Sequence, residues 1–328
     1  MRLAIIGSGM IVKILLPCIS KMSEYSLEAI ASREESLSKN QELADQYGIK
    51  KVYGNYHDLL LDKDVEIIYV ALPNHKHYSV CKEALEKGKH VICEKPFVSN
   101  IKQLEQLDLL AKEKGLFLLE AIAVNFYPSL HKTKQLLPSI GKVKLVEGNY
   151  GKYSSRYTAF KQGNILPTFD VNCSGGCLMD INIYNLHLFA FFFGESENVK
   201  YFANVEKGID TSGIIFIDHN QFKAALLGSK DSKGTNSFRI QGEDGTIEIT
   251  PSKDNTKNVK VTLKDEIIEY CDESGVHYMY FEFKEFARII ENRDYDKANE
   301  LMKQSKAVMA MACLARRSAG IIFPDDNK

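Results

Sequence analysis

Three groups of residues in this sequence carry side chains that could do chemistry together. The first is Lys95, at the end of the run Val91-Ile92-Cys93-Glu94-Lys95-Pro96. A lysine just past a buried strand is a compact positive charge at the sheet edge where ligands collect. The second is Gly175-Gly176 followed by Asp180, Tyr184 and His187, spaced four and three residues apart in a run otherwise rich in Leu, Ile and Phe. That spacing puts the three polar side chains on one helical face, and polar groups on an apolar helix need either partners or a task. A tyrosine, with an ordinary pKa of about 10, is a poor proton-transfer group alone. An ammonium beside it favours the phenolate, so Lys95 beside Tyr184 would form a usable acid and base, with Asp180 orienting either. The pattern at His187 fits a hydrogen-bonded histidine on an apolar helix, or a second proton-transfer or substrate group.

The third group is a glycine turn. Arg2 to Ile6 reads as a short buried strand, then come Gly7-Ser8-Gly9-Met10-Ile11, then an apolar run from Val12 to Ile19 with helical spacing. This opens a dinucleotide-binding βαβ unit: Gly7 permits the tight turn, Gly9 lets backbone approach a pyrophosphate, and the N–H groups at the helix start receive the anion. Val12 stands where the fingerprint has a small residue. A second strand, Glu28 to Ala31, ends in Ser32-Arg33, where an NAD site puts an acid for the ribose hydroxyls. A hydroxyl and a guanidinium suit a 2′-phosphate instead, so the expected cofactor is NADP, with NAD possible. Glu34 and Glu35 could pair with Arg33 and weaken that grip. His75 and His77 flank Lys76 with no carboxylate or cysteine near, which favours cofactor or substrate contact at His77 over a metal.

The elements that must position these groups change character along the chain. Helices near 34–47, 56–61, 78–86 and 101–114 alternate with strands at 66–70, 90–93 and 117–120, a pattern that gives a parallel sheet with helices on both faces. Ligands sit outside the carboxyl ends of such strands, which gathers Leu72, Pro73, Asn74, His77, Glu94 and Lys95 near Gly7 and Gly9. From about Gly141 the chain reads as short strands (143–150, 199–205, 213–216, 222–227, 237–241, 246–249 and 259–263) interrupted by one apolar helix, 178–193, and closed by helices 278–291 and 299–318. Turn cues such as Glu243-Asp244-Gly245 point to a mainly antiparallel sheet. Two domains follow from 328 residues of which 45% are hydrophobic, and a net charge of −1 gives no reason to expect a nucleic-acid partner. No run of about 18 apolar residues is seen to cross a membrane, and the N-terminus enters a strand without a signal peptide, so a cytoplasmic protein is expected. Seven scattered cysteines argue against a disulfide framework and, with no His grouping at zinc spacing, against a metal.

With Ala71-Leu72-Pro73-Asn74 and His77, Glu94-Lys95-Pro96, and Gly175-Gly176 leading to Asp180 and Tyr184, the chain resembles the Gfo/Idh/MocA oxidoreductase family, the glucose-fructose oxidoreductase and inositol dehydrogenase relatives. The motifs span both halves. The resemblance implies a Rossmann domain over 1–122 and, over 123–328, a substrate-binding α+β domain whose large, open, mainly antiparallel sheet often mediates dimerisation. It implies hydride exchange between nicotinamide and a carbon of a sugar, polyol or cyclic diol, with Lys95 and the residue at 184 handling the hydroxyl proton. Many members have histidine where Tyr184 stands; tyrosine is similar to the dihydrodiol dehydrogenase branch, as is the stretch Glu120 to Pro128 containing Asn125. Asn125, His187 and Arg156, the last in an irregular segment with Tyr157, Phe160 and Lys161, are candidate substrate contacts. Asn182 departs from the glycine usual two residues after the aspartate. The alternative is a non-catalytic NADP-binding sensor of the same fold, against which Lys95, Asp180 and Tyr184 argue; a methyltransferase would have no use for Lys95.

Overall fold

A strand with four consecutive buried residues, Leu3 to Ile6, can be satisfied only in the middle of a sheet covered on both faces. The computed structural model, which describes residues 1–252, 257–272 and 275–327, puts it there. That strand, β1 (Arg2–Ile6), is followed by α1 (Met10–Ile19), β2 (Ser26–Ala31), α2 (Leu37–Tyr47), β3 (Lys51–Tyr53), α3 (Tyr56–Leu60), β4 (Ile67–Val70), α4 (His77–Glu86), β5 (His90–Glu94), α5 (Ile101–Glu113) and β6 (Leu118–Ala121). The strands form one parallel sheet in the order β3-β2-β1-β4-β5-β6. The order reverses at β1, so the crevice for a ligand lies beyond the carboxyl ends of β1 and β4. This is the expected Rossmann architecture. The edge strand β3 was not foreseen, because Lys51-Val52-Tyr53 is too short and too polar to show an apolar run.

The second half runs through α6 (Pro128–Leu136), β7 (Val143–Gly151), α7 (Tyr157–Lys161), a π-helical turn (Leu178–Asn182) continuing into α8 (Ile183–Phe193), and then β8 (Val199–Glu206), β9 (Ile209–His219), β10 (Phe222–Ser229), β11 (Ser237–Gly242), β12 (Gly245–Pro251), β13 (Lys257–Leu263) and β14 (Ile267–Cys271). Eight strands form a sheet in the order β14-β13-β12-β11-β7-β10-β9-β8, antiparallel except where β7 meets β10. Helix α8 covers one face. The half-polar α6 and the exposed edge strand β14 lacked the periodicity that reveals an element. The last helices are α9 (Tyr280–Glu291) and α10 (Tyr295–Ser318).

The chain groups into two units: Met1–Val98 with Lys102–Ile122 and Met279–Lys303, and Ser99–Ile101 with Ala123–Tyr278 and Gln304–Lys328. A division into 1–122 and 123–328 therefore differs in two stretches, and the larger, Met279–Lys303, has a clear cause. Helix α9 buries Phe283, Phe286 and Ile290 in the first unit, where Phe283 meets the rings of Tyr25 and Tyr69 edge-on and its carbonyl accepts from the Tyr25 hydroxyl at 2.6 Å. Val171–Phe193 is long and apolar enough to cross a membrane by length and composition, contrary to the reading of the sequence; 83% of its most apolar window is buried inside the protein, as in a core helix.

Candidate active site

In the first unit the glycine turn is built for a close approach. Gly7 has φ +121°, and a Cβ there would lie 2.2 Å from the Ala71 carbonyl oxygen, so only glycine lets the ends of β1 and β4 run this near. Gly9 is the N-cap of α1 and has open space where a Cβ would be; no side chain caps the helix and its first turn holds no acid. A helix start left open in this way, with Ser8 and Ile11 half-exposed and Met10 exposed, suits a pyrophosphate. Val12, at the third small position, is fully buried between helix and sheet. Beyond β2, Ser32 accepts from the buried Asn40 amide at 2.7 Å and donates to the Arg33 carbonyl at 3.2 Å. The Arg33 side chain is 82% exposed and its Nε stands 3.7 Å from Glu35, a solvated pair that holds the guanidinium loosely.

The loop after β4 presents Leu72, Pro73 and Asn74 with partial or full exposure. His77 is different. Its ring is fully buried, with Nε2 2.8 Å from the Leu72 carbonyl and Nδ1 2.9 Å from that of Pro96. Burial holds the imidazole below its ordinary pKa, against the opposing pull of those carbonyls. The ring thus lies between a carbonyl of the loop after β4 and one of the loop after β5, and as a neutral imidazole it donates to one of the two. Glu94 is buried as well. Its buried carboxylate accepts from the Tyr69 hydroxyl at 2.5 Å and from the Lys95 backbone N–H at 3.2 Å, while Glu120 accepts from the Phe97 N–H at 3.2 Å. These acids hold the turn that carries the half-exposed Lys95. Burial raises the Glu94 pKa. Glu282 on α9 lies in the same acidic surroundings: burial first, then the charges of Glu94 and Glu120, push its carboxyl well above the usual range, and its Oε1 has no hydrogen-bond partner among the described residues.

In the second unit the diglycine is a fitted seat for the helix that follows. Gly176 has φ +101°, and a Cβ there would fall 2.0 Å from Oδ1 of Asp210 on β9. The other oxygen of Asp210 accepts from the Leu178 N–H at 2.6 Å and from the Tyr201 hydroxyl at 2.9 Å, which anchors the π-helical turn. The i→i+5 turn replaces the regular helix expected here and is a common feature of functional helices. Asn182, where a glycine was expected, donates to the Leu226 carbonyl at 3.0 Å and accepts from Asn185 at 2.8 Å. Room for it comes from Gly228, whose Cβ would lie 2.7 Å from that of Asn182.

Asp180 and Tyr184 are the half-exposed polar residues of this otherwise buried run. The Tyr184 ring stacks on Tyr150 of β7 at 5.2 Å. Asp180 Oδ2 meets two donors, Lys230 Nζ at 2.8 Å and Thr168 Oγ1 at 3.0 Å. His187 is fully buried, unlike its two neighbours in the pattern. Asn125 is buried too, its side-chain oxygen accepting from Gln304 at 2.7 Å. Arg156 is exposed at the start of α7. The sequence reading missed Thr168, Asp210, Tyr150 and Lys230; only Lys230 carried a cue, a lysine just past an apolar strand as at Lys95. Among the described residues no group of three or more His, Cys, Asp or Glu is arranged to hold a metal.

Residues 1–121 match the model of an oxidoreductase family with an NAD-binding Rossmann fold, and 132–248 match the GFO/IDH/MocA C-terminal domain. An NADP(+)-dependent scyllo-inositol 2-dehydrogenase of Bacillus subtilis is 31% identical over 99% of both chains. A trans-1,2-dihydrobenzene-1,2-diol dehydrogenase of Sus scrofa is 28% identical over 69% of this chain and 67% of its own. Among solved structures, a 3-ketoreductase of Actinomadura kijaniata in complex with NADP and TDP-benzene superimposes with a TM-score of 0.83 at 22% identity, covering 97% of each chain, a likeness of fold.

Proposed function

The chain belongs to the Gfo/Idh/MocA family of NAD-binding oxidoreductases, and from that premise we propose that it moves a hydride between NADP and a hydroxyl-bearing carbon of a sugar, polyol or cyclic diol. The observation that carries this reading is the polar pair Asp180 and Tyr184, half-exposed on a helix that is otherwise buried. When bound, the cofactor supplies the nicotinamide carbon that takes or gives the hydride. Gly7, Ser8, Gly9, Met10 and Ile11 would hold its pyrophosphate at the open start of α1, and Leu72, Pro73 and Asn74 would line its path. Ser32 and Arg33 would take the 2′-phosphate, which favours NADP over NAD.

In oxidation the Tyr184 oxygen accepts the proton of the substrate hydroxyl; in reduction it returns one. Lys95 is the second member of the proposed catalytic set, and Asp180 would hydrogen-bond the substrate hydroxyl. Arg156, exposed at the start of α7, would contact a substrate's polar tail. Seven unbonded cysteines support a reducing, cytoplasmic location.

A homodimer forms part of the same reading. Register puts Leu145, Phe216, Phe202 and Ile267 on the face of the large sheet opposite α8, all exposed. These apolar side chains share the face with the ion pairs Arg239–Glu147, Lys223–Asp218 and Lys260–Glu269, and the mixed surface would serve an interface with a second copy.

The test is a fluorescence titration with NADPH and NADH, followed by a panel of inositols, aldoses and vicinal cyclic diols with the preferred cofactor. Binding of NADPH with turnover on any member is the expected result. Binding without turnover would favour a sensor, and failure to bind either cofactor would overturn the proposal.

A further inference from the structure

Lys230, just after β10, is 1% exposed, and an ammonium tolerates such burial only when it is paired and hydrogen-bonded. Its Nζ donates to the Thr168 carbonyl at 2.7 Å and to Thr168 Oγ1, lies 2.8 Å from Asp180 Oδ2 and sits 4.2 Å above the centre of the Phe169 ring. The Asp180 side chain is 34% exposed. One end of this pair is thus locked in the core and the other reaches toward solvent.

The neighbouring acids are engaged elsewhere. Asp231 accepts from Thr211 at 2.8 Å and Ser212 at 2.7 Å, Asp210 anchors Leu178 and Tyr201, and Glu206 accepts from Tyr157 at 2.6 Å. Among the described residues, Asp180 is the carboxylate that Lys230 contacts. Both donors fall on Oδ2, so Lys230 and Thr168 together fix the rotation of the carboxyl group. Asp180 shares its helical run with Tyr184, and that run is itself anchored by Asp210.

We propose that Lys230 is a positioning residue of the reaction, holding Asp180 as a carboxylate in one orientation so that it meets the substrate hydroxyl in register with Tyr184. This rests on the roles given above to Asp180 and Tyr184. Without the ammonium, Asp180 Oδ2 would lose the charged donor 2.8 Å away and keep the Thr168 hydroxyl, and would take up a proton at higher pH.

The test compares Lys230→Gln, Lys230→Arg, Asp180→Asn and the double variant Lys230→Gln/Asp180→Asn, using NADP with the panel member that the wild type turns over fastest. Lys230→Gln keeps a donor for Thr168 and loses the charge. It is expected to lower kcat roughly 10–100-fold with KM little changed, to move the acidic limb of the kcat profile upward, and to be partly rescued by Lys230→Arg. In the Asp180→Asn background the same change should cost almost nothing, because its target is gone. A readout free of turnover is the carboxyl carbon resonance of Asp180, assigned by its loss in Asp180→Asn, whose midpoint should rise by about one unit or more in Lys230→Gln. Equal loss in both backgrounds, or an unmoved midpoint, would overturn the proposal and leave Lys230 as a brace for Thr168. Full activity of Asp180→Asn would instead remove the role of Asp180, and this inference with it. Should Lys230→Gln not fold, Thr168→Val removes the second donor to Oδ2 and should shift the midpoint in the same direction by less; no shift would again overturn it.

Discussion

Tyr184 has the two properties a proton-transfer group needs here, partial exposure and a fixed ring, since it stacks on Tyr150. Replacing it with phenylalanine keeps the stack and removes the hydroxyl, so turnover should fall by roughly 10²-fold or more while NADPH titration is unchanged. Retained activity would transfer the role elsewhere, with the buried His187 the next residue to change. Arg33 can be tested by affinity alone. Because its side chain is largely solvated, Arg33→Ala should weaken NADP binding toward the lower part of a range of about 1–3 kcal/mol and leave NAD nearly untouched; equal losses would refute the 2′-phosphate assignment. At this scale the sequence singled out Asp180 and Tyr184 by their spacing and Lys95 by its place just past an apolar strand. It did not expose the partners that consume Glu94, His77 and Asn125, because those are backbone carbonyls, a tyrosine and a glutamine distant in the chain. Type and spacing identify a polar group but not whether its hydrogen bonds are already spent.

Two helices here are held by contacts that can be named. For the run that carries Tyr184, that something is Asp210, and Gly176 is the clearance it requires. Gly176→Ala combines a clash at 2.0 Å with a φ that favours glycine, so it should destabilise by more than about 1 kcal/mol; urea unfolding measures this, and an unchanged midpoint would contradict the seat. For α9 the informative residue is Glu282. Its carboxyl holds its proton more tightly in the fold than in the unfolded chain, so the folded state binds more protons between the ordinary carboxylate range and the raised value, and stability falls as pH rises through that window. Glu282→Gln abolishes the ionisation. The variant should match the wild type in acid and become progressively more stable than it toward neutral and alkaline pH, as followed by Tm; parallel curves would show that Glu282 is not a source of pH dependence. Periodicity made α8 and α9 visible, and could not reveal the π-helical turn, which depends on Asp210 arriving from β9.

The whole molecule combines the parallel sheet of an NAD-binding fold with an open sheet, one face of which exposes Leu145, Phe202, Phe216 and Ile267 among ion-paired charges. If that face pairs two copies, Phe202→Glu with Phe216→Glu, which breaks the exposed edge-on ring pair at 5.7 Å, should turn a sedimenting dimer into a monomer; a wild-type monomer at the same concentration would dismiss the interface. Both sheets, apart from the edge strands β3 and β14, could be read from the rhythm of apolar residues. The allocation of Met279–Lys303 could not, because an amphipathic helix shows which of its sides is apolar and not which distant surface receives it. That allocation also bears on how the protein is made. The surface of Tyr25 and Tyr69 leaves the ribosome well before Phe283, which covers it. Throughout synthesis of 123–278 the nascent Rossmann sheet must wait with aromatic residues uncovered, a natural holding site for a chaperone, and a fragment ending at Ile122 should emerge unable to complete itself.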